Sequence, residues 1–276
     1  MPRPKLIAID IDGTLVNSKV ELEQSVADTI FRARDAGALV TLATGRMVSA
    51  SVEFIDRLEI DLPVVALNGA FVGWRKNCRE PIYHAPIHAE SSMAVTRASW
   101  DTGCTIVHVN CDSAVGRNLT ELTAPALNSW IVNIAPLEDI EVISDMESST
   151  ILIAGNEAEI TELNRRTGDL VKGKALHYFF PSIRYFPMHY LEIRAAGTSK
   201  GAGLMKLAKH LGIDPSEVLA IGDYINDIEM AQMAGSFGAP ANARPEITEI
   251  ADYVSPFSND EGAVSDIIEK LFFEAL

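Results

Sequence analysis

The feature that most constrains this chain is a set of short, almost wholly apolar segments, each followed by a polar or glycine-containing turn. These segments are KLIAIDI (5–11), ALVTLAT (38–44), PVVALNG (63–69) and EVLAIG (217–222). Their length and β-branched content are typical of buried strands. Segments with helical spacing separate them, such as 21–36, where Leu22, Val26 and Ile30 share one helix face, and a further helix is predicted around 48–59. Apolar strands that alternate with helices predict a parallel sheet covered by helices on both faces.

The middle of the chain has a different pattern, with polar, turn-rich segments between its predicted elements. Here we expect helices over 89–102 and 157–171, and strands over 104–110, 149–155 and 175–186. The strand-helix alternation resumes later, with helices predicted over 200–211, 225–234 and 262–274 and strands over 236–239 and 252–254. We therefore predict an α/β protein with a doubly wound, Rossmann-like core built from 1–80 and 189–276. We predict that a smaller α/β unit, 81–188, is inserted into this core, because surface loops tolerate insertions well.

Composition excludes some partners and favours one compartment. The 276 residues carry a formal net charge of −15, which argues against a nucleic-acid-binding face because phosphate backbones attract clusters of Lys and Arg. Asp10 and Asp12 interrupt the first apolar run, and no apolar stretch approaches the length of a membrane span, so we expect no membrane partner. The three cysteines are too few for a disulfide framework, which favours the reducing cytoplasm. We expect a monomer or a small homo-oligomer.

Acidic residues follow the first predicted strand directly, in Asp10-Ile11-Asp12-Gly13-Thr14. Residues two apart in an extended strand point the same way, so Asp10 and Asp12 can share one site, with Gly13 allowing a sharp turn. Ligands of open parallel sheets bind outside the carboxyl ends of the strands. Two carboxylates there suit a hard cation, and they also allow one to act as nucleophile while the other moves protons. The alternative is a pair of loop carboxylates with no functional partner.

Two further segments could complete an anion site at the same sheet edge. The second strand ends in Thr44-Gly45-Arg46, which offers a hydroxyl, a flexible backbone and a guanidinium before a predicted helix. Lys200 enters a helix after a predicted strand and a small-residue loop, so that its ammonium could stabilise charge on a transferring phosphoryl group. Alone, Thr44 is equally well explained as a helix cap, and Lys200 as a solvated surface residue.

The fourth segment, GDYIND (222–227), again places acids after a buried strand. Asp223 could bind a metal ion, and Asn226 and Asp227 could orient ligands or support them from behind. The alternative is a helix start capped by Asp223 or Asn226. Taken together, the four segments supply what metal-assisted phosphoryl transfer needs: a nucleophile, an acid/base, a phosphate clamp and a cation site.

These segments also resemble the motifs of the haloacid dehalogenase superfamily, and of its Cof-type phosphatases in particular. DIDGT, TGR, the lysine of GTSKG and GDYIND match the family's four motifs in order, and NARPEITEIADYV with SNDEG is similar to that branch. The resemblance covers about 1–80 and 189–276, and the insertion falls between the second and third motifs, as in relatives with a large α/β cap. A departure is Tyr224, where many relatives have asparagine.

The resemblance implies a role for each motif residue. Asp10 would be the nucleophile and Asp12 the general acid/base. The metal group would comprise Asp10, Asp12 through its backbone carbonyl, Asp223 and, in support, Asp227, with Mg²⁺ as the cofactor. Phosphate and substrate contacts would come from Thr44, Gly45, Arg46, Lys200 and Asn226.

The resulting expectation is a magnesium-dependent phosphatase that hydrolyses small phosphate monoesters, such as sugar phosphates, through a phospho-aspartate. A phosphomutase or phosphotransferase of the same superfamily would use the same chemistry and is not excluded by the sequence. A non-enzymatic phospho-acceptor domain fits less well, because such domains are typically about half this length and need no inserted cap. A binding-only protein would be expected to have lost Asp10 or Asp12, and both are present.

Specificity is expected to reside in the cap, where the sequence says least. Arg184 and His189 are polar substrate-binding candidates there, although a structural role suits either. Cys104, His108 and Cys111 could suggest zinc, but they supply only three ligands and strand alternation divides them between two faces. We interpret them as strand packing.

Overall fold

A computed structural model describes residues 3–182, 185 and 187–275 of the chain. Its strands are β1 (Leu6–Ile9), β2 (Leu39–Leu42), β3 (Val64–Ala66), β4 (Phe71–Gly73), β5 (Tyr83–His84), β6 (Thr105–Val109), β7 (Ala114–Arg117), β8 (Ile134–Pro136), β9 (Thr150–Gly155), β10 (Ala175–Pro181), β11 (His189–Ala195), β12 (Val218–Ile221), β13 (Ser236–Ala239) and β14 (Tyr253–Val254). Its α-helices are α1 (Gln24–Asp35), α2 (Val52–Arg57), α3 (Ala89–Ser99), α4 (Thr123–Leu127), α5 (Glu157–Val171), α6 (Lys200–Leu211), α7 (Ile228–Met233), α8 (Pro245–Thr248) and α9 (Ala263–Ile268).

Contacts divide the chain into two compact units. The first comprises 1–45, 51–83 and 199–276, and the second comprises 46–50 and 84–198. This division differs from the predicted segments at the C-terminal end of the insertion. The strand β11, placed in the core from sequence, pairs with both β10 and β9 of the second unit's sheet. Strand pairing is non-local, so β11's own residues could not indicate which sheet it joins.

The first unit is built on a parallel sheet of order β14-β13-β12-β1-β2. Every residue of the interior strand β1 is fully buried, which is the reason its sequence is continuously apolar. Leu6 and Ala8 of β1 pack in one cluster with Leu204 and Leu207 of α6. A parallel sheet packed against helices confirms the predicted α/β class with a parallel-sheet core.

The register of this sheet brings the predicted site segments to one edge. Ile9 is level with Leu42 on one side and with Ile221 on the other. The residues that leave these three strands therefore emerge together, and a parallel bridge from Ala43 to Val65 brings the end of β3 alongside them. This edge consists of the carboxyl ends of the strands, where ligands of open α/β sheets bind.

The second unit contains a six-stranded sheet of order β10-β11-β9-β6-β7-β8, antiparallel except between β7 and β8. Alternate residues of its strands, including Ile106, Ile151 and Leu191, form a core with Val95 of α3 and Leu163 of α5. The helix predicted over 157–171 has those bounds in α5, where Asn156 and Glu159 form a capping box at its start.

Within the part of the chain that the structure describes, no helix has both the length and the apolar character needed to cross a membrane.

Candidate active site

The site begins at Asp10, the residue that follows β1. Its backbone N–H still donates to the carbonyl oxygen of Ile221 at 2.9 Å, so the ladder between β1 and β12 fixes where the chain leaves the sheet. A turn over Ile11–Leu15 follows, in which Gly13 has a left-handed φ of +76°. A Cβ at Gly13 would lie 2.4 Å from a carboxylate oxygen of Asp223, so glycine is required here on two counts.

Lys200 contacts acidic residues of both the first motif, DIDGT, and the fourth motif, GDYIND. Its Nζ lies 2.7 Å from Asp10 Oδ1 and 2.7 Å from Asp227 Oδ1. The lysine side chain is 1% exposed, so it is a buried group held between two carboxylates and not a solvated surface residue. It is also the first residue of α6, whose N-cap Ser199 accepts a hydrogen bond from the N–H of Ala202.

The loop after β12 is held by Asp227. Its Oδ2 accepts hydrogen bonds from the backbone N–H groups of Asp223 and Tyr224, each at 3.0 Å, while its Oδ1 accepts from Lys200. Asp223 in turn accepts from the hydroxyl of Thr14 at 2.8 Å. Asp227 thus organises the loop and the lysine, while Asp223 faces the turn that follows Asp10.

Burial and mutual repulsion set the electrostatics of this cluster. Burial raises the pKa of Asp10 well above its usual value; Lys200 opposes the rise, and Asp227 and Asp223 add to it. Burial, followed by the charge of Asp227, raises the pKa of Asp223 to about 7, and half-buried Asp12 is close enough to contribute to that rise. Burial disfavours the charged form of Lys200, but Asp10 and Asp227 outweigh it and raise the pKa of the lysine.

The predicted phosphate residues Thr44, Gly45 and Asn226 meet at a fourth residue, Asn68. The N–H of Asn68 donates to the carbonyl oxygen of Thr44 at 3.0 Å, and its Oδ1 accepts from Asn226 Nδ2 at 2.9 Å. Its amide also lies against Gly45, where a Cβ would come within 3.2 Å of Nδ2. The remaining amide oxygen of Asn226 is buried without a hydrogen-bond partner among the described residues.

Asn68 lies in an unusual turn after β3. Leu67, Asn68 and Gly69 have successive φ values of +51°, +52° and +83°. A run of left-handed residues is costly and persists only where the surrounding structure requires it. The requirement is a close approach: a Cβ at Gly69 would lie 1.9 Å from the carbonyl oxygen of Ser199. The turn therefore packs directly on the start of α6.

The second unit contains the remaining predicted residues. Arg46 is buried there and donates through Nη1 to the carbonyl oxygen of Ala50 at 3.4 Å. His189 is buried, stacks on Phe179 at a centroid distance of 5.4 Å and makes a hydrogen bond through Nδ1 to the carbonyl oxygen of Pro187. Arg184 lies outside the described residues. Their proposed contacts with substrate stay predictions.

The Cys104, His108 and Cys111 group is not arranged for zinc at its histidine. Both ring nitrogens of buried His108 are engaged, Nδ1 with the hydroxyl of Ser148 and Nε2 with that of Thr96, each at 3.0 Å. Hydroxyl groups therefore occupy both atoms that a metal ion would need.

The carboxylates of the first unit do fit a cation. One oxygen from each of Asp10, Asp223 and Asp227 lies within 4.8 Å of the others. The ammonium of Lys200 pairs with Asp10 and Asp227. Burial raises the pKa values of Asp10 and Asp223, and the charge of Asp227 adds to the rise in both. Hard oxygen ligands with surplus negative charge are the donor set that Mg²⁺ prefers.

Comparison with known proteins identifies the family. The model of the haloacid dehalogenase-like hydrolases matches residues 7–268. The chain belongs to this family. Several of its relatives are named phosphatases, and the chain is a phosphatase of the Cof type. Hydrolases of this family typically use a metal ion, for which the buried aspartate cluster is suited.

The matches to individual relatives cover most or nearly all of the chain. A 5-amino-6-(5-phospho-D-ribitylamino)uracil phosphatase of Bacillus subtilis, YitU, is 26% identical, with 98% of each chain covered. An HMP-PP phosphatase of Cronobacter sakazakii is 26% identical over 88% of this chain and 86% of its own. The crystal structure of a haloacid dehalogenase-like hydrolase from Bacteroides thetaiotaomicron superposes with a TM-score of 0.86 at 26% identity, covering 98% of this chain and all of the other.

Two residues of the candidate site, Thr14 and Asn68, were not singled out from sequence. Thr14 lies within DIDGT, and its hydroxyl binds Asp223, but nothing in the motif distinguishes that role from a simple turn. Asn68 had a usable signal. It follows a buried strand at the same sheet edge as the other motifs, and asparagine before glycine is typical of left-handed turns.

Proposed function

We propose that this chain is a magnesium-dependent phosphatase that transfers the phosphoryl group of a small phosphorylated metabolite first to Asp10 and then to water. The observation that supports this most is the buried Lys200 between Asp10 and Asp227. It places a cation beside the proposed nucleophile, where the charge of a transferring phosphoryl group develops. Splitting hydrolysis into two displacements replaces one difficult step by two easier ones.

The chain's own residues divide the work as follows. Asp10 attacks phosphorus, and Asp12, two residues on, gives a proton to the leaving alcohol and later takes one from water. Lys200 and Thr44 hold the phosphoryl oxygens, and the amide of Asn226 contacts them from the loop after β12. Gly45 also belongs to this phosphate-binding group, and it lies against the amide of Asn68, which a side chain would crowd. We also place Arg46 among the substrate-binding residues.

Mg²⁺ fits the same edge. We propose that the carboxylates of Asp10 and Asp223 and the backbone carbonyl of Asp12 hold it. Both oxygens of Asp227 already accept hydrogen bonds, so we assign Asp227 to support this group from behind. When bound, Mg²⁺ offsets the repulsion between the anionic substrate and the carboxylates.

For the substrate we propose a sugar phosphate or a similar polyol phosphate. The relative YitU is named for a substrate whose phosphate is carried by a ribityl group, which is consistent with this class. We also propose a cytoplasmic location, because three cysteines are too few for a disulfide framework.

The test is phosphate release from a broad panel of small phosphate esters, with Mg²⁺ and with a chelator, using wild type and Asp10→Asn. We expect release that requires both Mg²⁺ and Asp10, with sugar or polyol phosphates among the best substrates. Wild-type turnover by Asp10→Asn would contradict the proposed nucleophile. Interconversion of hexose phosphate isomers without phosphate release would replace hydrolysis by phosphoryl transfer to a second sugar.

A further inference from the structure

The turn that carries Asp12 is held by side chains that lie more than two hundred residues further along the chain. Asn242 Nδ2 donates to the carbonyl oxygen of Gly13 at 2.8 Å, and Asn242 Oδ1 accepts from the N–H of Asn259 at 2.8 Å. One side-chain amide thus uses its donor on the turn and its acceptor on a second loop. Asn242 is solvent-exposed, so its contribution is these hydrogen bonds and not core packing.

The second loop continues the contact toward the end of the turn. Asn259 Nδ2 donates to the carbonyl oxygen of Val16 at 2.8 Å, and the carboxylate of Asp260 accepts from both the N–H and the hydroxyl of Ser18. We call Asn242, Asn259 and Asp260 the clip. It grips the chain at Gly13, Val16 and Ser18.

The hydrogen bonds that close the turn are long, and its backbone is irregular. Asp12 and Gly13 both have non-helical backbone angles, and the hydrogen bonds that close the turn, Leu15 N–H to Asp10 O and Val16 N–H to Ile11 O, are both 3.2 Å long. Bonds of that length lie at the weak end of the usual range. The Gly13 carbonyl, fixed by Asn242, belongs to the residue next to Asp12. The clip therefore restrains the turn from outside, at the residue next to Asp12.

We propose that Asn242 is a positioning residue for Asp12 in phosphoryl transfer, with Asn259 holding Asn242 in place. This inference rests on the proposed function, since it assigns a consequence to the position of the general acid. A misplacement of about 1 Å can cost about 100-fold in rate. Loss of the clip should thus weaken proton delivery to the leaving group, while attack by Asp10 is affected less.

Leaving-group dependence separates this role from general damage. An alkyl alkoxide needs a proton as it departs, whereas p-nitrophenolate departs readily without one. For Asn242→Ala we expect kcat/KM to fall by about 10- to 100-fold for the best alkyl ester of the panel, and about tenfold less for p-nitrophenyl phosphate. The ratio of aryl to alkyl kcat/KM is the quantity to measure, because a partly unfolded population lowers both equally.

Three further variants complete the experiment. Asn242→Asp keeps the acceptor for Asn259 but sets a carboxylate against the Gly13 carbonyl, so its ratio should shift at least as far as that of Asn242→Ala. Asn259→Ala keeps the bond to Gly13 and should shift the ratio less. Asp214→Ala is the matched control. It removes two hydrogen bonds, to the N–H and the hydroxyl of Ser216, near the opposite end of β12, and it should leave the ratio unchanged.

An unchanged ratio in Asn242→Ala and Asn242→Asp, with wild type hydrolysing both esters through Asp10, would overturn the inference alone. Equal losses for both esters would do the same, because they would place the effect on the fold or on the Thr14–Asp223 contact. Failure of wild type to hydrolyse either ester would instead overturn the proposed function, and the inference with it.

Discussion

At the scale of single residues, the balance between Lys200 and its neighbours decides what the site can bind. One buried ammonium faces the carboxylates of Asp10, Asp223 and Asp227, and burial strengthens every interaction among them. Breaking such a buried pair costs far more than breaking a surface pair, because the remaining charge stays in a poorly solvated place. The surplus negative charge explains why the same cluster both holds a lysine and suits a cation.

Asn68 offers a test that separates chemistry from backbone strain. Asn68→Gly removes the amide that binds Asn226 but keeps a residue that adopts φ +52° without cost. We expect it to fold normally and to lose about tenfold in kcat/KM, the equivalent of one hydrogen bond of about 1.4 kcal/mol. Asn68→Ala should show the same loss of activity and also a free energy of unfolding lower by about 1 kcal/mol.

Activity and urea unfolding of the two variants provide the measurement. Wild-type activity in Asn68→Gly would show that the amide has no part in the site. A loss of activity only in Asn68→Ala would assign the effect to the backbone.

Sequence alone could predict the charged residues of the site but not all of the amides and hydroxyls around them. Asp10 and Asp223 follow strands of the parallel sheet, and its register brings them together. Lys200 reaches them from the first position of α6. Their proposed roles stay predictions until they are tested. Thr14 and Asn68 depend on contacts between distant segments, to Asp223 and Asn226, and no local pattern records those.

At the scale of elements, the start of α6 and the turn Leu67–Gly69 form one packed unit. Gly69→Ala would force a Cβ into the carbonyl of Ser199, next to Lys200. Gly37→Ala is a matched control, since Gly37 also has a positive φ, +97°, but would place its Cβ in open space. We expect Gly37→Ala to cost about 1 kcal/mol of stability and Gly69→Ala about 1–3 kcal/mol more. Gly69→Ala alone should also lower activity.

Thermal unfolding and phosphate release on the two variants test this coupling. Equal stability of Gly69→Ala and Gly37→Ala would mean that the turn can move away from α6 without cost. Normal activity in a destabilised Gly69→Ala would mean that the turn does not position Lys200.

The second unit has its own pH dependence, which arises from His108. Burial lowers the pKa of this histidine to about 3, whereas an unfolded histidine titrates near 6.5. Between these pH values His108 is protonated in the unfolded chain but not in the folded one. The contribution of neutral His108 to the free energy of unfolding is therefore complete above about pH 6.5 and falls as the pH drops toward 3. From pH 7 to pH 5 the loss is about 2 kcal/mol.

His108→Gln should be less stable than wild type at pH 7, and the difference should shrink by about this amount at pH 5. His88→Gln, at an exposed histidine, serves as the control and should track wild type at both pH values. Urea unfolding measures all three proteins. A difference between wild type and His108→Gln that does not change with pH would contradict a neutral, buried His108.

Elements whose ends carry local signals could be predicted closely. The helices expected over 157–171 and 200–211 have those bounds, and Asn156 and Ser199 cap them. The helix expected over 48–59 is regular only over Val52–Arg57, because a tighter turn precedes it. The partners of β11 could not be predicted, since strand pairing is set by the whole sheet.

At the scale of the whole molecule, a net charge of −15 favours the binding of cations over anions. We expect Mg²⁺ at about 100 times its Kd to raise Tm by about 5–10 °C for wild type, through preferential binding to the folded state. Asp223→Asn should abolish the shift, and Asp214→Asn should keep it. NaCl of matched ionic strength separates binding from screening.

An equal Mg²⁺ shift in Asp223→Asn and wild type would place the cation elsewhere on this acidic surface.

The fold class could be predicted because the strands of the core are continuously apolar, but the extent of the insertion could not. The extent of the insertion depends on which segments pack together. Residues 46–50, for example, belong to the second unit although they lie only a few residues after the end of β2.

The most direct test of the account is to trap the phosphorylated enzyme. In Asp12→Asn, p-nitrophenyl phosphate can still phosphorylate Asp10, but the base that activates water is missing, so the intermediate should accumulate. After an acid quench, mass spectrometry of the peptide that contains Asp10 should show one added phosphoryl group. Hydroxylamine should remove this phosphoryl group. The group should be absent from a chain that carries both Asp12→Asn and Asp10→Asn. Phosphate release with no modified peptide, or a phosphoryl group on any residue other than Asp10, would contradict the account.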